Sequence, residues 1–358
     1  MIREHRRRQV SLGVGIVILG FFAIHAAAQP GQVAPMMGPL VGWGDNFFSQ
    51  AICPPGPFRA FDAGYDNSLA VRPDGSLVAW GSWEGGVLNV PSGTFSVVAT
   101  TRLWSLAIRS DGTLAGWGSN YWGQTNPPAG RFIAIAAGPY NGYGIREDGT
   151  LAAWGVNSNG QLSVPSGVFI ALAAGEVFGV ALRPDGTAVG WGDDTNGAAS
   201  PPAGTYTAVA AGDYHALLLK TDGQIVAYGS NFRGQCNVPP GDYVAIAAHG
   251  LWSLAIRSDG TLAAWGWDAA GQVSTRPPGR FVAITAGKSH GIAMPEGCWA
   301  NCDGATTTPT LTVNDFVCFL NKFAAGDTYA NCDGSAMPPV LNVNDFVCYV
   351  NSYAAGCP

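Results

Sequence analysis

A tryptophan–glycine pair recurs at one fixed interval along most of the chain. It stands at Trp43-Gly44, Trp80-Gly81, Trp117-Gly118, Trp154-Gly155, Trp191-Gly192 and Trp265-Gly266, with Tyr228-Gly229 in the one gap, each 37 residues after the last. A constant period of this size means one supersecondary unit copied seven times, so the repeat dictates the architecture. Near-identical units also spread recognition over many copies and rarely concentrate chemistry in one.

One unit reads clearly between Arg131 and Pro165. Phe132 to Gly138 is a first apolar strand, Tyr143 to Arg146 a second, and Thr150 to Gly155 a third, followed by an Asn/Ser/Gly loop and an extended stretch ending at Val164-Pro165. Asp-Gly between short apolar runs marks a hairpin, because glycine accepts the positive φ of the turn. It recurs at Asp74, Asp111, Asp148, Asp185, Asp222 and Asp259, on the same period. Proline cannot donate to a ladder, so the fourth stretch is expected at an outer edge. Units of three or four short strands at this period are the sequence form of a β-propeller. The first Trp-Gly strand, Leu40 to Trp43, has no hairpin before it, and the last hairpin start, Phe281 to Gly287, has no Trp-Gly strand after it. Joining the two completes a seventh blade and leaves no open sheet edge. The expected fold is an all-β seven-bladed β-propeller closed by the N-terminal strand, over 39–297, with a small helical EF-hand-like module at 298–358.

The segment from Ala210 to Pro239, AAGDYHALLLKTDGQIVAYGSNFRGQCNVP, resembles the repeats of the regulator of chromosome condensation family in its Ala-Gly, His, Asp-Gly, Tyr/Trp-Gly-Ser-Asn and Gly-Gln steps. The resemblance extends over 39–297 and implies a propeller used for binding. The units are compact, like those of secreted bacterial propellers that inhibit β-lactamases. The nucleotide-exchange and chromatin roles of the nuclear members are not carried over.

Strand direction separates two faces. The Asp-Gly turns share one, where Arg72, Arg109, Arg146, Arg183, Lys220 and Arg257 recur as solvated basic–acidic turns of little energetic weight. The Ala-Gly and Trp-Gly loops share the other, and there the columns vary. The column after Ala-Gly holds Asn67, Trp104, Asn141, Phe178, His215, Trp252 and His290, with Tyr65, Tyr140 and Tyr214 beside it. The loops after Trp-Gly add Phe47, Phe48, Trp83, Tyr121, Trp122, Phe232 and Trp267. Variable aromatic columns suit recognition, where large rings supply contact area; packed between blades, the same rings would be core. No nucleophile triad, zinc spacing or phosphate loop stands out, so an enzyme is not expected. A glycan-active site would need paired carboxylates from Asp45, Glu84, Glu176, Asp193, Asp194 and Asp213.

The first residues run from Arg3 and a basic triplet at Arg6 to an apolar stretch over Val10–Ile24 and then Ala26-Ala27-Ala28. This is the pattern of a cleaved signal peptide over 1–28, with 29–38 a spacer. The apolar run is shorter than the roughly 20 residues of a spanning helix, so no integral membrane segment is expected after cleavage. A formal charge of −6 that includes this cationic leader argues against a nucleic-acid partner.

From Cys298 the pattern becomes two copies of an Asn-Cys-Asp-Gly loop leading into an apolar run, Asn301 to Cys318 and Asn331 to Cys348. An oxygen-rich loop entering a helix is EF-hand-like, and the pair resembles a type I dockerin, a module that attaches exported proteins to a scaffold or surface receptor. The resemblance implies calcium, with Asn301, Asp303, Thr312 and Asp315 as one ligand set and Asn331, Asp333, Asn342 and Asp345 as the other. Each span is longer than the usual loop and lacks the terminal bidentate Glu, so few charges face the ion. An EF-like fold held by disulfides alone is the competing reading. Symmetry of the copies suggests Cys302–Cys318 and Cys332–Cys348, with Cys298–Cys357 clasping the ends; six cysteines allow fifteen pairings. Cys53 and Cys236 are left unassigned.

The sequence therefore points to an exported, non-enzymatic binding propeller, at the cell surface or in an extracellular assembly, whose ligand is an extracellular protein or glycan. The alternatives are an inhibitor of a secreted enzyme and a glycan-binding or glycan-active protein.

Overall fold

A computed structural model of the protein describes residues 38–296 together with Leu320. The leader, the tail cysteines and the eight calcium-ligand candidates lie outside the described residues.

Seven three-stranded antiparallel sheets follow one another. After β1 (Val41–Gly44), the first six blades each take three consecutive strands. They are β2 (Ala60–Ala63), β3 (Asn67–Val71) and β4 (Leu77–Gly81); β5 (Phe95–Thr100), β6 (Trp104–Arg109) and β7 (Leu114–Gly118); β8 (Phe132–Ala137), β9 (Asn141–Arg146) and β10 (Leu151–Gly155). Next come β11 (Ala171–Ala174), β12 (Phe178–Leu182) and β13 (Ala188–Gly192); β14 (Tyr206–Ala211), β15 (His215–Lys220) and β16 (Ile225–Gly229); β17 (Tyr243–His249), β18 (Trp252–Arg257) and β19 (Leu262–Gly266). The seventh blade has the order β1, β21 (His290–Pro295), β20 (Phe281–Ala286). Its register sets Trp43 opposite Gly291 and Gly44 opposite His290, so the N-terminal strand closes the ring.

The fourth stretch of each unit forms no ladder: every described blade has three strands. Its prolines have no N–H to offer, and Val90, Val164, Val238 and Val273 instead lay their side chains against neighbouring core clusters.

Blade packs on blade, which buries both faces of the middle strand. Every residue of β12 is buried, as is β6 from Trp104 to Ile108. A continuous apolar run replaces alternation for this reason. At the closure, Phe58, Phe61 and Trp80 of the first blade meet Ile292 and Met294 of the seventh in one cluster. Each such side chain contributes about 1.5–3 kcal/mol of apolar burial.

The repeated tryptophan does two things. Its ring fills the inter-blade core, and its indole N–H donates to a loop carbonyl 30 residues earlier. Trp80 reaches Gln50 O at 2.8 Å, Trp117 Val87 O at 2.8 Å, Trp154 Gln124 O at 2.8 Å, Trp191 Gln161 O at 3.0 Å and Trp265 Gln235 O at 2.8 Å. The following glycine is required by its backbone: Gly155 has φ +101°, and a Cβ there would lie 2.4 Å from Tyr140 O.

Candidate functional site

The column after Ala-Gly is structural, which corrects part of the sequence reading. Trp104 and Trp252 are 0% exposed and Phe178 1%, so these three rings do not lie on a binding face. Each starts a middle strand and points across to the next blade. Trp104 donates to Gly138 O at 3.1 Å, Trp252 to Gly287 O at 2.8 Å, and Asn67 Nδ2 to Thr101 O at 2.7 Å. His215 pairs with Ser253 Oγ at 2.9 Å and His290 with Ser68 Oγ at 3.0 Å. All seven side chains of this column are buried, so variation among copies does not by itself mark recognition.

The loops after Trp-Gly do reach solvent. Phe47 and Tyr121 are 83% exposed, Trp83 79% and Phe232 65%, with Trp122 and Phe48 also exposed and Trp267 half-buried. A buried glutamine sets each ordinary loop: Gln50 Oε1 accepts Phe48 N–H at 2.9 Å, and Gln124 Oε1 accepts Trp122 N–H at 2.8 Å. An asparagine holds the other side, Asn46 accepting Ala51 N–H at 3.0 Å and Asn120 accepting Thr125 N–H at 3.1 Å. With the backbone fixed from inside, the residues between are pushed outward. Phe47 and Phe48 meet edge to face at 4.9 Å, Tyr121 and Trp122 at 5.1 Å. The loops after β10 and β13 carry Asn157-Ser158-Asn159 and Asp193-Asp194-Thr195 instead. Since β1 belongs to the seventh blade, the five aromatic loops form one unbroken arc around the ring, and the two polar loops form the gap.

Inside the arc, the first strands surround a narrow cavity of about 80 Å³ lined largely by alanine. Just after the first strand one position differs in every blade, Tyr65, Arg102, Pro139, Glu176, Asp213, Gly250 and Lys288, and Tyr65, Pro139, Glu176 and Asp213 line the cavity mouth. Backbone bonds tie neighbours together, Glu176 N–H to Asp213 O at 3.0 Å, Asp213 N–H to Gly250 O at 2.9 Å and Lys288 N–H to Gly64 O at 3.0 Å. Tyr65 lies across the mouth. Its ring meets His249 edge-on at 5.2 Å, and the Lys288 ammonium sits 4.1 Å above it. Burial pushes the Tyr65 phenol upward, helped by Asp213 and Glu176. Tyr214 is raised by burial and then by Glu176. Burial also raises Asp213, against the pull of Lys288. His249 is held down to about 4 by burial and then by Lys288. It is therefore neutral near pH 7, and its 3.9 Å approach to Asp213 is a polar contact without a full ion pair. Beside this group opens a pocket of about 290 Å³ that also touches Phe232 and Trp267. Tyr140, half-exposed at 42%, stands on the rim.

Only two of the six candidate acids reach this mouth, Glu176 and Asp213. Asp45 accepts Phe47 N–H at 3.1 Å, Asp193 accepts Thr195 N–H at 2.7 Å, Asp194 accepts Ala199 N–H at 2.9 Å, and Glu84 pairs with Arg102 at 3.1 Å. Among the described residues no three His, Cys, Asp or Glu side chains are grouped to hold a metal ion. Cys53 and Cys236 form no disulfide there, and burial raises their thiols to about 12 and about 11. No described helix is long and apolar enough to cross a membrane.

Sequence reasoning missed two features. Asp62 occupies a column that is otherwise alanine or threonine, and it faces the channel, accepting Thr100 N–H and Thr285 Oγ–H, each at 2.8 Å. Its lone carboxylate among alanines was the available signal. On the Asp-Gly face the arginines stack on aromatics at or just before the start of the first strand: Arg146 lies 5.0 Å from Phe132, Arg183 5.0 Å from Phe169 and Arg109 5.1 Å from Phe95. The aspartates meanwhile close their own turns, Asp148 accepting Thr150 N–H at 2.9 Å and its hydroxyl at 2.7 Å.

The Regulator of chromosome condensation (RCC1) repeat matches residues 132–161 and 206–235. Among solved structures, Prp20p from Saccharomyces cerevisiae is similar at 16% identity and TM-score 0.63, over 72% of this chain and 91% of that one. Yeast RCC1 (Prp20) in complex with Kap60 gives 15% and 0.64 over 76% and 96%, and human WBSCR16 gives 14% and 0.61 over 73% and 99%. No curated protein matches. At these identities the shared property is the fold: the protein is a seven-bladed propeller, two of whose units match the RCC1 repeat.

Proposed function

We propose that the protein is an exported, non-enzymatic binding propeller that captures an extracellular ligand on its aromatic face and is held at the cell surface or in an assembly by its dockerin-like tail. The unbroken arc of five aromatic loops carries this reading. Exposed Trp, Tyr and Phe on backbone fixed from below lose little conformational freedom on binding. Prp20p, of the same fold, is described by its binding to Gsp1p and histones, which supports use of the ring as a protein-binding scaffold. The cleaved leader at 1–28, calcium held by the tail's eight oxygen ligands and the three tail disulfides belong to the same proposal.

Replacing Phe47, Trp83 and Trp122 together by Ala tests it. Pull-down from culture medium and a glycan array should lose their signal while the melting temperature stays within a few degrees of wild type. Retained capture, or a collapse of stability, counts against it. A stoichiometric secreted enzyme in the pull-down would favour the inhibitor reading.

A further inference from the structure

We infer that the pocket at the channel mouth, between Tyr65, Glu176, Asp213, Phe232, Trp267 and Lys288, binds one neutral sugar ring of a glycan. This rests on the binding-propeller reading and names the ligand class of one part of that face.

Charge decides against the competing ligand types. Glu176 and Asp213 would repel an anion. A cationic ligand would meet Lys288, whose ammonium already occupies the face of Tyr65 at 4.1 Å. A wholly apolar ligand would strip water from two carboxylates and an amine and return nothing. The remaining match is an uncharged molecule that both donates and accepts hydrogen bonds round its edge, as sugar hydroxyls do. Glu176 and Asp213 supply acceptors, Lys288 supplies donors, and the Tyr65 and Tyr214 hydroxyls serve as either.

The walls complete the fit. A pyranose presents an apolar C–H face, and Phe232 and Trp267 line the outer side of the pocket. The volume of about 290 Å³ lies at the small end of ligand sites, enough for one ring with its neighbours left on the surface. Below, the alanine-lined channel is only about 80 Å³ and blocks deeper entry. The walls are preformed: backbone bonds between blades fix Glu176, Asp213 and Lys288, and Gln235 Oε1 accepts Arg233 N–H at 2.9 Å beside Phe232.

The test titrates the full chain with glucose, galactose, mannose, N-acetylglucosamine and cellobiose, with lysine methyl ester as the cationic control. Because the chain has twelve tryptophans, the fluorescence change is compared with that of Trp267→Phe to isolate this ring, and calorimetry gives the affinity. At least one neutral sugar should bind saturably. Phe232→Ala, at a side chain exposed enough to leave folding intact, should weaken it by about tenfold. Lys288→Met should weaken it as well, and Glu147→Gln, at an exposed position on the opposite Asp-Gly face, should leave it unchanged. No saturable sugar, preference for the lysine ester, or an unaltered affinity in Phe232→Ala overturns the assignment. If sugars fail while Phe47, Trp83 and Trp122 still govern capture of another ligand, the pocket assignment falls and the binding-propeller reading stands. If that capture fails too, both fall.

Discussion

His290 Nε2 lies 3.0 Å from Ser68 Oγ although the two residues are 222 positions apart. Ser68 in turn donates to Gln50 O at 3.0 Å, so its oxygen is left to accept and Nε2 carries the proton. The same relay joins His215, Ser253 and Gln235 in the interior of the array, at 2.9 Å for both bonds. The joint between the seventh and first blades thus uses the same parts as an internal joint.

Ser68→Ala should lower stability by about 1–3 kcal/mol, because it strands a buried imidazole donor; the Gln50 carbonyl keeps its bond from Trp80. Ser253→Ala should cost a similar amount by thermal or urea unfolding. A far smaller effect at Ser68 would mean that the closure opens in solution.

Acid should destabilise the ring through its histidines. Burial holds His215 and His290 down to about 3, and His249 to about 4. The native state keeps them neutral, whereas the unfolded chain takes up protons below about 6.5. Stability is therefore lost as pH falls from about 6.5 toward the folded values. Three such groups give a slope of roughly 4 kcal/mol per pH unit near pH 5. The double variant His215→Asn, His290→Asn uses the residue found in this column at Asn67 and Asn141, and should shift the acid midpoint downward in a far-UV circular dichroism titration.

Asp62 works in the opposite direction. Burial raises its carboxyl from 3.8 to about 6 despite the bonds from Thr100 and Thr285. Between these values the native state holds a proton that the unfolded chain has released, so this group's contribution falls as pH rises and its penalty is complete above about 6. The gap corresponds to at most roughly 3 kcal/mol. An amide can accept from Thr100 and donate to Thr285 Oγ, so Asp62→Asn should raise the melting temperature at pH 8 and change it little at pH 4. Equal gains at both values would refute this assignment.

The period of Trp-Gly and the unmatched ends at Leu40 and Phe281 make seven blades and their closure legible in the sequence, since both depend only on chain spacing. The binding face was legible in part. Phe47, Trp83, Tyr121, Trp122 and Phe232 follow the third strand, where the loop leaves the blade, and they are exposed. Trp104, Phe178 and Trp252 were misjudged because they begin a strand whose two faces are both covered, a property of neighbouring blades that one repeat does not display. The pocket was not legible, because Tyr65, Asp213 and Lys288 come from repeats far apart in the sequence and meet only once the ring is closed.

The gap in the Trp-Gly series yields the last test. Tyr228 stands where the other units have Trp, and the loop it faces holds Ala198 where most units have the buried Gln. Every other indole of the series donates to a loop carbonyl; the Tyr228 hydroxyl is buried with no partner among the described residues. Burial raises this phenol, as expected for a group removed from water without a compensating bond. An unsatisfied buried hydroxyl costs about 1–3 kcal/mol, so Tyr228→Phe should keep the ring's contacts and raise the melting temperature. Tyr228→Trp would restore the indole donor, but its larger ring must fit between blades four and five, so its gain should be smaller unless the space left by Ala198 accommodates it. A lower melting temperature in Tyr228→Phe would show that the hydroxyl has a partner in solution, an ordered water being the natural one.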